Sequence, residues 1–192
     1  MKIGIIATAI AGTTLAAAAQ TTDFSDDINA PTDLGVFGVG TSTVTGFVTD
    51  AFDANGDVDV FTFEIGAGTE LVSITYTADN ANAPFLGIDA GDTFNQNPND
   101  AASGPDAQFL GGLVVRGDLL TGEEVLADAD SLGNSGIGFG FGETLGPGDY
   151  TIFLQQIGNN PTNYTLDFAV APTPASASLL GLCGLALSRR RR

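Results

Sequence analysis

The stretch Asp53-Ala54-Asn55-Gly56-Asp57-Val58-Asp59 places four oxygen-bearing side chains at alternate positions. Asp53, Asn55, Asp57 and Asp59 offer hard oxygens, the ligand type that Ca2+ gathers roughly six to eight at a time. Counted from Asp53, Glu64 falls where an EF-hand loop carries its last ligand, but Val58 stands where that loop needs glycine. Glu64 also belongs to a strand-like run, and no helices flank the loop, so an EF-hand is excluded. A simpler calcium loop at the entrance to a strand remains. The competing reading is a polar β-turn, since Asn55-Gly56 is a favoured turn pair.

Other chemistry is narrowed by what the chain lacks. It contains no histidine, and its one cysteine, Cys183, lies in an apolar stretch near the C-terminus. Ser-His-Asp and Cys-His catalysis, histidine zinc sites and disulfides are therefore excluded for the domain. An enzyme would have to use carboxylates, as a glycosidase does. With 23 acids in the chain, some pair at a workable separation is expected by chance, and there is no tryptophan on which a sugar could stack. Gly136-Ile137-Gly138-Phe139-Gly140-Phe141-Gly142 lacks the lysine and the following helix of a phosphate loop. It reads instead as a strand with inward-packed aromatics. No catalytic residue is assigned.

The elements that must hold these residues are β-strands. Period-2 alternation runs through Thr43–Thr49, Asp59–Ile65 and Leu71–Thr77, the last two separated by the turn Gly66-Ala67-Gly68. Further strands are expected at Phe109–Arg116, Ile137–Phe141, Tyr150–Gln156 and Tyr164–Val170. This patterning, punctuated by glycine, asparagine and aspartate, marks an all-β, antiparallel β-sandwich. Leu119–Leu132 has room for one short helix. Asp79–Asp106 reads as a long polar loop with a short strand at Phe85–Ile88, and loops of that length are often functional.

The charge is distributed unevenly. The 192 residues carry a net charge of −17, and the six bases are Lys2, Arg116 and Arg189–Arg192. Without the two ends, Arg116 alone faces all the acids. Such a domain repels nucleic acid and anionic membranes and favours cations. A plain alternative is solubility in salty water, where screening tolerates a dense acidic surface.

The two ends read as address segments. Met1-Lys2, an uncharged apolar run and Ala16-Ala17-Ala18-Ala19 before Gln20 form a secretory signal peptide with a helical apolar centre. Ala17 and Ala19 satisfy the small-x-small rule, so signal peptidase is expected to leave a mature start at Gln20. At the other end Pro172-Thr173-Pro174 precedes an uncharged run, Ala175–Ser188, and then Arg189, Arg190, Arg191 and Arg192. The run is shorter than the roughly 20 residues a comfortable span needs. Terminal arginines hold such a segment on the cytoplasmic side, and their stems snorkel. A short transmembrane helix acting as a temporary anchor is the expectation.

Proline motif, short apolar helix and arginine cluster, in that order, resemble the PEP-CTERM sorting signal. Thr173 stands where that family has glutamate. The resemblance implies processing by an exosortase-like membrane protease in a Gram-negative, exopolysaccharide-making bacterium. Within the domain, Asp57-Val58-Asp59-Val60-Phe61-Thr62-Phe63 and Ala67-Gly68-Thr69, then Leu145-Gly146-Pro147-Gly148-Asp149-Tyr150-Thr151-Ile152 and Tyr164-Thr165-Leu166, resemble the bacterial pre-peptidase C-terminal (PPC) domain. That resemblance spans Val39 to Val170. It implies a small jelly-roll-like sandwich of the kind that accompanies secreted enzymes, some examples binding calcium or matrix polymers.

The expected organisation is a signal peptide at 1–19, a linker at 20–32, an acidic sandwich at 33–171 and a sorting tail at 172–192. The expected function is that of an exported, non-catalytic protein of the cell surface or exopolysaccharide matrix, partnered by its processing enzymes and, through the tail, by the membrane. A calcium- or carbohydrate-binding module is the alternative, and a carboxylate hydrolase the third reading.

Overall fold

The computed structural model describes residues 21–49, 57–79, 84–95, 109–115, 122–132, 139–156 and 161–174. The ten strands among them are β1 (Thr21–Thr22), β2 (Thr32–Phe37), β3 (Gly40–Val48), β4 (Val58–Ile65), β5 (Thr69–Ala78), β6 (Pro84–Ala90), β7 (Gly111–Val114), β8 (Glu123–Glu124), β9 (Gly148–Gln156) and β10 (Thr162–Pro172), with one helix, α1 (Leu126–Leu132). They form two five-stranded sheets, ordered β1-β3-β10-β5-β8 and β2-β4-β9-β6-β7. From β1 to β6 the chain alternates between the sheets at every strand, the crossing habit of a jelly-roll-like sandwich. Pairing is antiparallel except where β1 and β2 lie parallel to β3 and β4.

Alternation in the sequence becomes a two-sheet core. On β4, Phe61, Phe63 and Ile65 share the inward face and are at most 1% exposed. Phe63 packs against Phe37 and Phe168 at ring-centroid distances of 4.8 Å (Phe37–Phe63) and 5.1 Å (Phe63–Phe168). Each such side chain, fully buried, contributes about 1.5–3 kcal/mol. The expected turn at Gly66-Ala67-Gly68 forms, with Thr69 N–H donating to Gly66 C=O at 3.3 Å. Gly68 takes φ 79° there, a conformation that only glycine adopts without strain.

Several expectations change in detail. Residues 20–32, expected as a linker, belong to the sandwich in their described part. β1 pairs with β3, Ser25 bridges to Val60, and Phe24 is buried with its ring 4.9 Å from Phe61. One well-placed aromatic is enough to dock a segment that otherwise looks polar. Of the helix expected in Leu119–Leu132, residues 122–132 are described, and among them the helix is α1, whose start the Glu124 carboxylate caps by accepting the Leu126 and Ala127 N–H groups. The strand expected at Phe109–Arg116 shortens to β7, and that at Phe85–Ile88 lengthens to β6. Of the strand expected at Ile137–Phe141, residues 139–141 are described and are not in a strand. Phe139 is 68% exposed rather than packed inward, while Phe141 lies against the core.

The outer face of the second sheet is also covered. Val60, Phe94, Phe109 and Phe153 form a second apolar cluster there, with Ile28, Val58 and Phe85 against it. The long segment after β5, read as polar loop, therefore supplies Phe85 and Phe94 to a second core. The signal peptide with Ala17, Ala19 and Gln20, the tail from 175 with Arg189–Arg192, and Asp53 and Asn55 all lie outside the described residues. Among the described residues no helix is long and apolar enough to cross a membrane.

Candidate functional site

The inward face of the sandwich changes character along its length. Phe61, Phe63 and Ile65 on β4 are followed, at the start of the same strand, by Asp59, which has the same parity and is also fully buried. Gln156 and Thr162, at the facing ends of β9 and β10, are fully buried as well, with Gln156 Nε2 donating to Thr162 Oγ1 at 3.0 Å. This end of the interior is polar.

Asp59 is held from both sheets. Its Oδ2 accepts the Tyr164 hydroxyl at 2.6 Å, and its Oδ1 accepts the Phe24 N–H at 3.0 Å. Tyr164 reaches it by lying across Gly46, its register partner on β3. A Cβ at residue 46 would stand 2.7 Å from Tyr164 Cε1 and closer still to the hydroxyl, so glycine is required for the ring to pass.

Three carboxylates converge here. Oxygens of Asp23, Asp57 and Asp59 lie within 4.8 Å of one another. Asp57 stands one residue before β4 and two before Asp59, a spacing that in extended chain puts both on one face. Asp23 arrives because the Phe24–Ser25 segment is stitched to β4, with Val60 N–H donating to Ser25 C=O at 2.9 Å. Asp26 lies nearby, its Oδ1 accepting Val58 N–H at 3.2 Å and its charge acting on Asp57.

The electrostatics follow from this crowding. Burial, then the charges of Asp59, Asp26 and Asp23, push the Asp57 carboxyl up to about 7. Burial pushes Asp59 up to about 6, against the lowering influence of the Tyr164 and Phe24 donors. Burial, reinforced by the Asp59 carboxylate, drives the Tyr164 hydroxyl well above its usual value, so it remains a donor. No base among the described residues joins the cluster. A divalent cation is the species that neutralises such a group while accepting several hard oxygens.

Of the four ligand positions expected from the sequence, Asp57 and Asp59 are brought together and Asp53 and Asn55 fall outside the described residues. Asp23 and Asp26 were missed by sequence reasoning. The only local signal was Phe24, an isolated apolar residue among acids that would dock and carry its neighbours with it. At the other end, Pro172 ends β10, and Thr173 N–H donates to Gly68 C=O at 2.9 Å, so the Pro-Thr-Pro motif begins on the sandwich itself.

No protein-family profile matches the chain, and no curated protein matches it. Among solved structures it is similar to the pre-peptidase C-terminal domain of a collagenase from Bacillus anthracis, at 13% identity and a TM-score of 0.39, covering 73% of this chain and 93% of that one.

Proposed function

We propose that this chain is an exported, non-catalytic β-sandwich protein of the bacterial envelope or exopolysaccharide matrix, and that it takes a divalent cation, Ca2+ by ligand type, at Asp23, Asp57 and Asp59. The observation that carries the cation reading is the convergence of three carboxylates within 4.8 Å, one of them fully buried. The donor set fits calcium: hard carboxylate oxygens, each with a lone pair to spare beyond the bonds it already accepts. Export is supported by the signal-type N-terminus and the arginine-ended tail, which resembles a PEP-CTERM signal. Both proposed processing points flank the sandwich. Gln20 directly precedes β1, and Pro174 follows the Thr173–Gly68 bond.

The cation reading is tested by thermal unfolding. An ion bound only by the folded state adds about 2.7 kcal/mol at a hundredfold excess over Kd. Millimolar Ca2+ is expected to raise Tm more than Na+ at matched ionic strength, because screening depends on ionic strength and a site depends on the ion. The double change Asp57→Asn with Asp59→Asn is expected to abolish the calcium-specific increment and keep the general salt effect. A double variant with the full calcium response would reduce the cluster to surface acidity.

A further inference from the structure

Between the two sheets, at their polar end, two side chains of complementary reactivity meet. Gln156 ends β9 in one sheet, and Thr162 begins β10 in the other. Strand parity turns both inward, Gln156 with Ile152 and Leu154, Thr162 with Tyr164 and Leu166. Neither has any exposed surface, and Gln156 Nε2 donates to Thr162 Oγ1 at 3.0 Å. The amide carbon Cδ is one C–N bond of about 1.3 Å beyond that nitrogen, which puts it about 4 Å from the hydroxyl oxygen. A hydroxyl and a carboxamide are the two halves of an ester.

We infer that Thr162 and Gln156 condense into an intramolecular ester that ties the two sheets together. Thr162 Oγ1 attacks Gln156 Cδ and forms the O–C bond. The C–N bond then breaks, the hydroxyl proton passes to the departing nitrogen, and ammonia leaves. No oxidant, reductant or second substrate enters the balance. A hydroxyl is a weak nucleophile, so the step depends on fixed proximity, which turns a bimolecular encounter into a unimolecular one. The last torsion of a glutamine is broad, so the amide can turn its face toward the oxygen without moving Cδ. Burial keeps out water, the nucleophile that would reopen the ester, and loss of ammonia to the bulk draws the reaction forward. The bond also suits what the sandwich lacks. Residues 20–171 contain neither cysteine nor lysine, so no disulfide and no lysine isopeptide can brace them, whereas an ester can. The inference goes beyond the exported, cation-binding reading and does not rest on it.

Peptide mass spectrometry of the folded full chain tests this. The chymotryptic peptide that holds both residues is expected to be lighter than its sequence by one ammonia and to give no backbone fragments between Gln156 and Thr162. Alkaline hydroxylamine should open it to a hydroxamate at 156. Mapping the loss to this peptide separates the ester from cyclisation of an N-terminal Gln20, which also releases ammonia. Thr162→Val keeps the shape and removes the hydroxyl, and is expected to abolish the loss, whereas Thr162→Ser keeps a hydroxyl and should retain it. The fragmentation of the wild-type peptide decides the matter even where a variant fails to fold. A wild-type peptide of full mass overturns the inference. So does an ammonia loss that persists in Thr162→Val, which would place it on a neighbouring asparagine as a succinimide.

Discussion

Replacing Tyr164 by phenylalanine removes one oxygen and leaves the ring, which isolates the bond to Asp59. That bond is 2.6 Å long and buried, and Asp59 has one other described partner, the Phe24 N–H. At pH 7.5 the Asp59 carboxyl, at about 6, is ionised. A hydrogen bond to a charged group contributes about 1.5–3 kcal/mol, against about 0.5–1.5 for a neutral pair. For a domain of this size 1 kcal/mol moves Tm by about 2–4 °C, so Tyr164→Phe should lower Tm by about 3–12 °C at pH 7.5. At pH 5 the carboxyl is largely protonated and the loss should fall to the neutral range, about 1–6 °C. Melts of wild type and variant in EDTA at both pH values measure the difference. Gly46→Ala, which obstructs the ring's path, should show the same dependence on pH. Equal losses at the two pH values, or none at 7.5, would refute the view that Tyr164 serves an ionised Asp59.

The pH profile of the metal-free protein is the second test. Asp57 and Asp59 have folded values of about 7 and 6, above the unfolded carboxylate value, so the folded state binds more protons between about pH 4 and 7. Stability is then highest near the unfolded value and falls as pH rises through 7. Tm in EDTA should drop from pH 5 to pH 8, and either calcium or Asp57→Asn should flatten that slope. Phe94→Ala, in the second apolar cluster where Phe94 is 1% exposed, should cost about 3–5 kcal/mol and roughly 6–20 °C in Tm, whereas Phe139→Ala should stay within about 0.5 kcal/mol. In the native host, mass spectrometry of the envelope and medium fractions should find a protein starting at Gln20 and ending at or near Pro174. An intact cytoplasmic protein starting at Met1 would contradict export.

How far the sequence reveals the fold depends on which contacts are local. The β4 alternation and the turn at Gly66–Gly68 are local, and both stand as the sequence reads. The pairing of Asp57 with Asp59 is local too, a consequence of strand parity. Asp23 joins them only through a segment 35 residues away along the chain that is fixed by the Phe24 N–H bond to Asp59 and the Ser25–Val60 bridge. No local pattern encodes a contact of that range. The second apolar cluster was legible in principle. Tyr150 to Leu154 on β9 runs almost without polar interruption, and its residues are buried on both faces, the mark of a strand covered on two sides. Phe94, set among polar residues of the expected loop, was the unclaimed aromatic that such a strand requires.

Asp59 is the position at which local and global preferences disagree. Phe61, Phe63 and Ile65 show what its face of β4 accommodates, and a β-branched aliphatic there would extend the core without desolvating a charge. A buried carboxylate with no base beside it among the described residues weakens the folded state, and two hydrogen-bond donors offset only part of that. Its neighbours add to the cost, since Asp57 and Asp23 crowd the same few ångströms. The surrounding structure nevertheless accommodates it in detail: a glycine at 46 lets the Tyr164 ring through, and the N-terminal segment folds back to donate the Phe24 N–H. Departures from local consistency of this kind concentrate at functional sites. Coordination of a cation would turn the repulsion among these carboxylates into shared attraction and tie β1 and the Phe24 segment to β4. The same charge arrangement that destabilises the metal-free domain would then lock its N-terminal edge in place.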